Sequence, residues 1–131
     1  MGLQPLIMGS VVGVEASNAK IKEHLKQDGV IIIDARAEKA FKKRTTRNTF
    51  SADAGGPMGG KAKDSVAKLK ENGALPADET NFGRPIVVFC AAGPEARQVK
   101  KALEKEGYKS VLNGGSLGRI EKLQQEIEEG K

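Results

Sequence analysis

The sequence predicts an α/β domain built around a parallel sheet. Two short runs, Val30–Ile33 and Ile86–Phe89, are apolar at every position. Unbroken apolar character indicates that both faces of a strand are covered, which is typical of a parallel sheet between helices. Segments with apolar residues at helical spacing fill the gaps, so strands and helices alternate along the chain.

The length and composition of the chain fit one domain with one hydrophobic core. The chain has 131 residues, of which 38% are hydrophobic, 4% are aromatic and none is Trp, so the core must be aliphatic. The net charge of +5 favours anionic partners, whether small anions, acidic proteins or nucleic acid. No stretch approaches ~20 continuous apolar residues, so we expect no membrane-spanning segment.

The first third of the chain is predicted to form a helix followed by a strand. A weak strand candidate, Val11–Val12, precedes a helix predicted over Ser17–Gln27, with Ser17 or Asn18 as its N-cap. Gly29 lies just past the end of this helix, as is common at helix C-termini. The first clear strand, Val30–Ile33, follows directly.

The segment 42–63 interrupts this alternation. Its first part, Lys42–Arg47, is cationic, and Ala54–Gly60 is too rich in glycine to form a regular element. We expect a long, mobile surface loop with a short strand near Thr49–Ser51. The cationic part is interpreted as a solvated surface, with steering of anions or of a partner by Arg44 and Arg47 as the alternative.

The second half returns to the regular pattern. Apolar residues at core spacing predict helices over Lys61–Glu71, Pro94–Glu106 and Leu117–Glu128. A further strand candidate is Ser110–Leu112.

A cysteine stands at the end of the second clear strand. Cys90 is followed by Ala91, Ala92 and Gly93, and a helix is predicted to begin at Pro94. Ligands of open α/β sheets bind at the carboxyl ends of strands. Small side chains let backbone N–H groups turn toward one point, which together with the helix N-terminus suits an anion. We therefore expect a thiol that loses its proton readily to give the nucleophilic thiolate.

The chain has one cysteine and one histidine, His24. An internal disulfide and a cysteine-rich zinc site are excluded, and we expect no metal and no cofactor. Cys90 by itself is compatible with buried filler, a free reactive thiol or an intermolecular bond. His24 has no candidate co-ligand and is interpreted as a surface residue.

Residues on both sides of the cysteine loop resemble the rhodanese family. Asp28–Arg36 is similar to the family's DGVxxIDxR segment, and Ala37–Phe41 to the acidic turn that follows it. Ala102–Gly115 is similar to the AL…GYxxVxxLxGG stretch, and Cys90 heads a loop between strand and helix as in the family. Together these matches span about residues 16–123 in the family's order.

The resemblance implies a rhodanese-like fold with about five mostly parallel strands and helices on both faces. It also implies a sulfurtransferase that carries sulfane sulfur as a persulfide on Cys90. The donor would be thiosulfate, polysulfide or a similar sulfur anion, and the acceptor a thiol or cyanide, with an acceptor protein as a further option. Asp34 and Arg36 carry over as structural partners near the strand end. The loop that would cradle the anion consists of Ala91, Ala92, Gly93, Pro94 and Glu95.

The last loop position departs from the family. Many active members have a cationic or hydroxyl residue there, whereas this chain has Glu95. A carboxylate beside the sulfur repels a dianionic donor, although it suits the first turn of a helix. The nearest cation in sequence is Arg97, which is a candidate for anion steering. We therefore expect weak activity with thiosulfate or the use of another donor.

Two alternatives remain beside the sulfurtransferase. A catalytically weak or inactive rhodanese-like module for interaction or regulation would also accommodate Glu95 and the irregular insert. Phosphatase or arsenate reductase chemistry is disfavoured, because those enzymes need an Arg six residues after the cysteine and this chain has Ala96. The basic residues are not interleaved with aromatics, so nucleic acid is not an expected partner.

The expected organisation is one rhodanese-like domain at 11–129, with the insert at 42–63 and an N-terminal extension at 1–10. The first 14 residues lack a basic start and a long apolar run, so no signal peptide is expected. Cytoplasmic location is the default expectation, with a mature periplasmic form left open.

Overall fold

The sheet consists of four parallel strands, which are β1 (Ile31–Asp34), β2 (Thr49–Ser51), β3 (Ile86–Cys90) and β4 (Val111–Ser116), in the order β2-β1-β3-β4. This computed structural model describes residues 15–130. The α/β class predicted from the sequence is confirmed, with four strands in the described sheet against about five expected. The candidate strand Val11–Val12 lies outside the described residues. The elements are α1 (Asn18–Leu25), β1 (Ile31–Asp34), α2 (Glu38–Lys43), β2 (Thr49–Ser51), a 3-10 turn (Ala62–Asp64), α3 (Ser65–Glu71), β3 (Ile86–Cys90), α4 (Pro94–Lys105), β4 (Val111–Ser116) and α5 (Leu117–Glu128).

Alternate residues of the two central strands enter different cores. Ile33, Val88 and Cys90 belong to the core under α3 and α4. Ile32 and Phe89 belong to the core under α1 and α5. The unbroken apolar runs therefore cover both faces of the sheet, as the sequence predicted.

The helices that flank the cysteine strand have identifiable starts. Ser17 caps α1 by accepting a hydrogen bond from the Lys20 N–H, and Ser116 caps α5 by accepting one from the Arg119 N–H. Pro94 occupies the first turn of α4, where its lack of an N–H leaves no helical bond unmade. Among residues 15–130, no helix is both long and apolar enough to cross a membrane.

The glycine-rich segment is more tightly packed than the sequence predicted. The N–H of Ala52 donates to the Asp34 carbonyl and that of Ala54 to the Ala35 carbonyl, which extends the β1–β2 pairing. Both alanines are fully buried. Alanine has no bulky side chain to form a hydrophobic pattern, so the burial of these two residues has no signal in the sequence.

A buried carboxylate ties the connection before β3 to the end of α4. Glu79 accepts hydrogen bonds from the Arg84 guanidinium and from the Tyr108 hydroxyl, the latter at 2.8 Å. The bonds from Arg84 lower the pKa of Glu79 to about 2. Burial, together with the Glu79 charge, raises the pKa of Tyr108 to about 12.

His24 is not the free surface residue that the sequence predicted. Its ring is half-buried, and Nε2 lies 3.0 Å from the carbonyl oxygen of Ser110. The contact joins residues 86 positions apart, so it follows from the packing of α1 beside β4 and not from local sequence.

Candidate functional site

The sulfur of Cys90 lies at the carboxyl end of β3, the second strand from the β4 edge. Cys90 is the last residue of the strand and α4 begins four residues later, as the sequence predicted. Its side chain belongs to the core under α3 and α4, and the residue has no exposed surface. A reagent can therefore reach the sulfur only if the short loop over it moves.

The loop supplies a hydrogen-bond donor to the sulfur. The backbone N–H of Gly93 points at Cys90 Sγ, with nitrogen and sulfur 2.8 Å apart. Gly93 has a φ of 114°, a conformation that residues with a side chain rarely adopt. Ala91 and Ala92 are exposed, Gly93 is buried, and Pro94 and Glu95 are half-buried. Convergence of further loop amides on the sulfur stays a prediction.

β4 contains a bulge directly after Asn113, a buried residue whose side chain reaches the loop. Val88 pairs with Asn113 but Cys90 pairs with Ser116, so β4 contains one more residue than β3 over this stretch. Gly115 adopts a φ of 79° within the bulge. The buried side chain of Asn113 then lies below the loop, where Nδ2 donates to the Gly93 carbonyl at 3.1 Å.

The end of β1 carries a buried ion pair. Asp34 is fully buried and lies opposite Phe89, one residue before the cysteine. The Arg36 side chain donates from both Nε and Nη2 to this carboxylate, and Thr45 Oγ1 donates to it at 2.8 Å. The bond to Asp34 raises the pKa of Arg36, and a negative charge on Cys90 adds to the same effect.

Two carboxylates lie near the loop. Glu95 is in the first turn of α4, where negative charge is favoured by the helix dipole. Glu15 approaches from the other side and pairs with Arg119, with Oε1 and Nη1 3.2 Å apart. Glu15 has no motif around it, and sequence reasoning did not identify it.

The three arginines considered for anion steering are in different places. Arg44 forms an ion pair with Glu121 at 2.6 Å, and its backbone carbonyl accepts from Arg36, so it lies at the same sheet edge as Asp34. Arg47 pairs with Glu128, the last residue of α5. Because α5 begins beside Cys90, this pairing places Arg47 at the opposite end of the strands from Cys90. Arg97 is exposed in α4, one turn beyond Gly93. The structure therefore does not bring Arg47 to the cysteine.

A metal site has no support in the part of the chain that the structure describes, because no group of three or more His, Cys, Asp or Glu side chains there could hold an ion. Surface cavities occur beside α5, between Glu38 and Lys68, and along α4 at Gln98, and Cys90 lines none of these.

Residues 17–118 match the model of the rhodanese-like domain family. The chain belongs to this family. The match covers both ends of the site, from α1 to the first turn of α5, and so includes Asp34, Cys90 and Asn113. Membership in the rhodanese-like family confirms the resemblance drawn from the sequence motifs.

Solved structures show the same fold. The crystal structure of a protein from Anabaena sp. aligns with a TM-score of 0.58 at 13% identity, over 88% of this chain and 100% of that one. A rhodanese-like domain from Anabaena sp. aligns with a TM-score of 0.56 at 17% identity, over 83% of this chain and 74% of that one. A homodimeric polysulfide-sulfur transferase from Wolinella succinogenes aligns with a TM-score of 0.53 at 19% identity, over 98% and 87%. No curated protein gives a significant match to the chain.

Proposed function

We propose that this rhodanese-like domain is a sulfurtransferase that carries sulfane sulfur as a persulfide on Cys90. The observation that carries the proposal is the Gly93 N–H, which lies 2.8 Å from Cys90 Sγ at the N-terminal end of α4. A hydrogen bond to a charged acceptor is stronger than one to a neutral acceptor, so this donor favours the thiolate and, after transfer, the persulfide anion.

The proposed reaction has two displacements at sulfur. The Cys90 thiolate attacks the outer sulfur of the donor, the donor S–S bond breaks, and its electron pair leaves with sulfite when the donor is thiosulfate. The enzyme now holds a Cys90 persulfide. An acceptor thiolate then attacks the outer sulfur of the persulfide, takes it as a new persulfide and releases the Cys90 thiolate, whereas cyanide would leave as thiocyanate.

The charges around the loop bear on which donor is used. Arg36 is held by Asp34 at the end of β1, next to the strand that ends in Cys90, and attracts an anion that approaches this end of the sheet. Glu95 and Glu15 repel any anion that approaches the loop. A donor of lower charge density, such as a polysulfide or a persulfide, fits this balance better than the thiosulfate dianion. The Wolinella succinogenes protein with the same fold is a polysulfide-sulfur transferase, which is consistent with this choice.

The test is formation of the persulfide itself. The protein is incubated with thiosulfate or with polysulfide and its intact mass is measured. We expect the mass of one added sulfur atom with polysulfide, less with thiosulfate, and loss of the adduct on treatment with dithiothreitol. Cys90→Ser is the control, and because Cys90 is the only cysteine it must give no adduct. No adduct with any donor would overturn the proposal and favour a non-catalytic rhodanese-like module.

A further inference from the structure

We infer that Asn113 is a positioning residue for sulfur transfer, because its side-chain amide fixes Gly93 where the Gly93 N–H reaches the sulfur of Cys90. The amide bridges two backbone groups. Its Nδ2 donates to the Gly93 carbonyl at 3.1 Å, and its Oδ1 accepts from the Gly115 N–H at 3.0 Å. The inference rests on the proposed function and identifies what holds its key hydrogen bond in place.

A primary amide suits this bridge because one end donates and the other accepts. Aspartate would keep the acceptor for Gly115 but would set an oxygen against the Gly93 carbonyl oxygen. Leucine would keep the approximate shape and remove both bonds, so the Gly115 N–H would lose its acceptor on residue 113 and the Gly93 carbonyl would keep only the bond from Arg97. Asn113 is 2% exposed, so water cannot readily replace the lost bonds.

The loop needs such an anchor. Gly93 has no side chain to pack, Ala91 and Ala92 are exposed, and the conformation at Gly93 is one that few residues adopt. The Gly93 carbonyl also accepts from the Arg97 N–H at 3.0 Å, but that bond joins the loop only to its own helix. The bond from Asn113 joins the loop to the sheet, and thus to the strand next to the one that carries Cys90.

The chain contains a matched control. Asn72 makes the same kind of bridge away from the cysteine, with Nδ2 donating to the Ser51 carbonyl at 3.2 Å and Oδ1 accepting from the Ala74 N–H at 3.1 Å. Both asparagines therefore accept from the N–H two residues ahead and donate to a distant carbonyl. Asn113→Leu and Asn72→Leu remove the same pair of bonds, at a buried position and at an exposed position respectively.

The experiment follows alkylation of the single thiol by iodoacetamide across pH, with thermal unfolding measured for each variant. For Asn113→Leu we expect the midpoint of the pH–rate profile to rise by about one pH unit, because the thiolate loses the hydrogen bond that favours it. The limiting rate at high pH reports access to the buried sulfur separately, and a looser loop should leave it unchanged or raise it. Asn72→Leu is expected to lower stability and leave the profile unchanged. Identical profiles in the two folded variants would overturn the inference.

Two further measurements separate the possible failures. If Asn113→Leu does not fold, Asn113→Ser provides a milder change, because its short hydroxyl cannot span both backbone groups, and the same upward movement of the profile is expected. A native-like profile for a folded Asn113→Ser would overturn the inference. Alkylation needs no sulfur donor, so a native protein that forms no persulfide would refute the proposed function while the alkylation profiles still test Asn113 as the anchor of Gly93.

Discussion

The carboxylate of Glu15 lies against the backbone of Gly93. A β-carbon added at this glycine would be 2.9 Å from Glu15 Oε2, closer than side-chain carbons approach oxygen in proteins. The first described residue of the chain therefore forms one wall of the cysteine loop. The backbone conformation requires glycine at this position, and a larger residue would also displace the Glu15 side chain.

We expect Gly93→Ala to impair both folding and the thiol. The φ of 114° should cost about 1–3 kcal/mol of unfolding free energy, whereas the flexible Glu15 side chain can move away from the added methyl group. Because relief of the backbone strain moves the Gly93 N–H off the sulfur, the midpoint of the pH–rate profile for alkylation of Cys90 should also rise. Denaturant titration and alkylation kinetics measure the two effects.

The control for this substitution is Gly73→Ala. Gly73 has a φ of 85°, but a β-carbon there meets nothing within 4 Å. This variant should lose about 1–2 kcal/mol from its backbone alone and keep native alkylation. Equal midpoints of the alkylation profiles for the two variants would contradict the role assigned to Gly93.

Replacement of Glu95 tests the electrostatics of donor choice. We expect Glu95→Arg to raise turnover with thiosulfate by about tenfold, because a cation near the sulfur stabilises a dianionic donor and its transition state. Glu95→Gln, which only removes the negative charge, should give a smaller increase. Steady-state assays with thiosulfate and cyanide measure both.

The charge-matched control is Glu106→Arg, at the far end of α4. It changes the net charge of the protein by the same amount and should leave the rate with thiosulfate unchanged. A rate for Glu95→Arg at or below that of the native protein would refute this account of the loop.

The ion pair at the end of β1 should be important for stability. Asp34→Asn leaves the Arg36 guanidinium facing a neutral group in a largely buried place, so we expect a loss of about 3–5 kcal/mol. Glu104→Gln breaks an exposed pair with Lys100 and should cost about 0.5 kcal/mol or less. Urea unfolding measures the loss of unfolding free energy in both variants. Equal losses would show that the contribution of Asp34 to stability does not depend on its burial.

Acid should destabilise the fold partly through Glu79. Its pKa is lowered from 4.5 to about 2 by Arg84, so its charged form favours the folded state. This contribution is present above pH 4.5 and declines as the pH falls toward about 2. The difference in unfolding free energy between the native protein and Glu79→Gln should therefore shrink over that range. A difference that stays constant from neutral pH to pH 2 would contradict this assignment.

Several features of the fold were predictable because their signals are local. The runs of β-branched residues at Val30–Ile33 and Ile86–Phe89 predicted strands covered on both faces, and the structure confirms two separate cores. Leu117–Glu128 has its apolar residues at helical spacing and forms a helix with those bounds. Cys90 before Gly93 and Pro94 predicted the strand–loop–helix unit, since glycine and proline restrict the backbone in known ways.

Other features had no local signal. Ala52 and Ala54 lie in a glycine-rich stretch predicted to be a mobile loop, and they are buried because their N–H groups extend the pairing with β1. Arg47 follows Arg44 closely in a cationic run, but the return of the chain toward β2 separates them, so only Arg44 lies at the sheet edge with Asp34.

The sequence by itself determined the alternation of strands and helices and the place of the one thiol at a strand end, because hydrophobic period and backbone restriction act over a few residues. Only the tertiary structure decided what surrounds that thiol. Asn113 contacts Gly93 from 20 residues away, and it does so because its strand, β4, pairs with the strand that carries Cys90. Register between strands depends on the packing of the whole sheet, which no local pattern encodes.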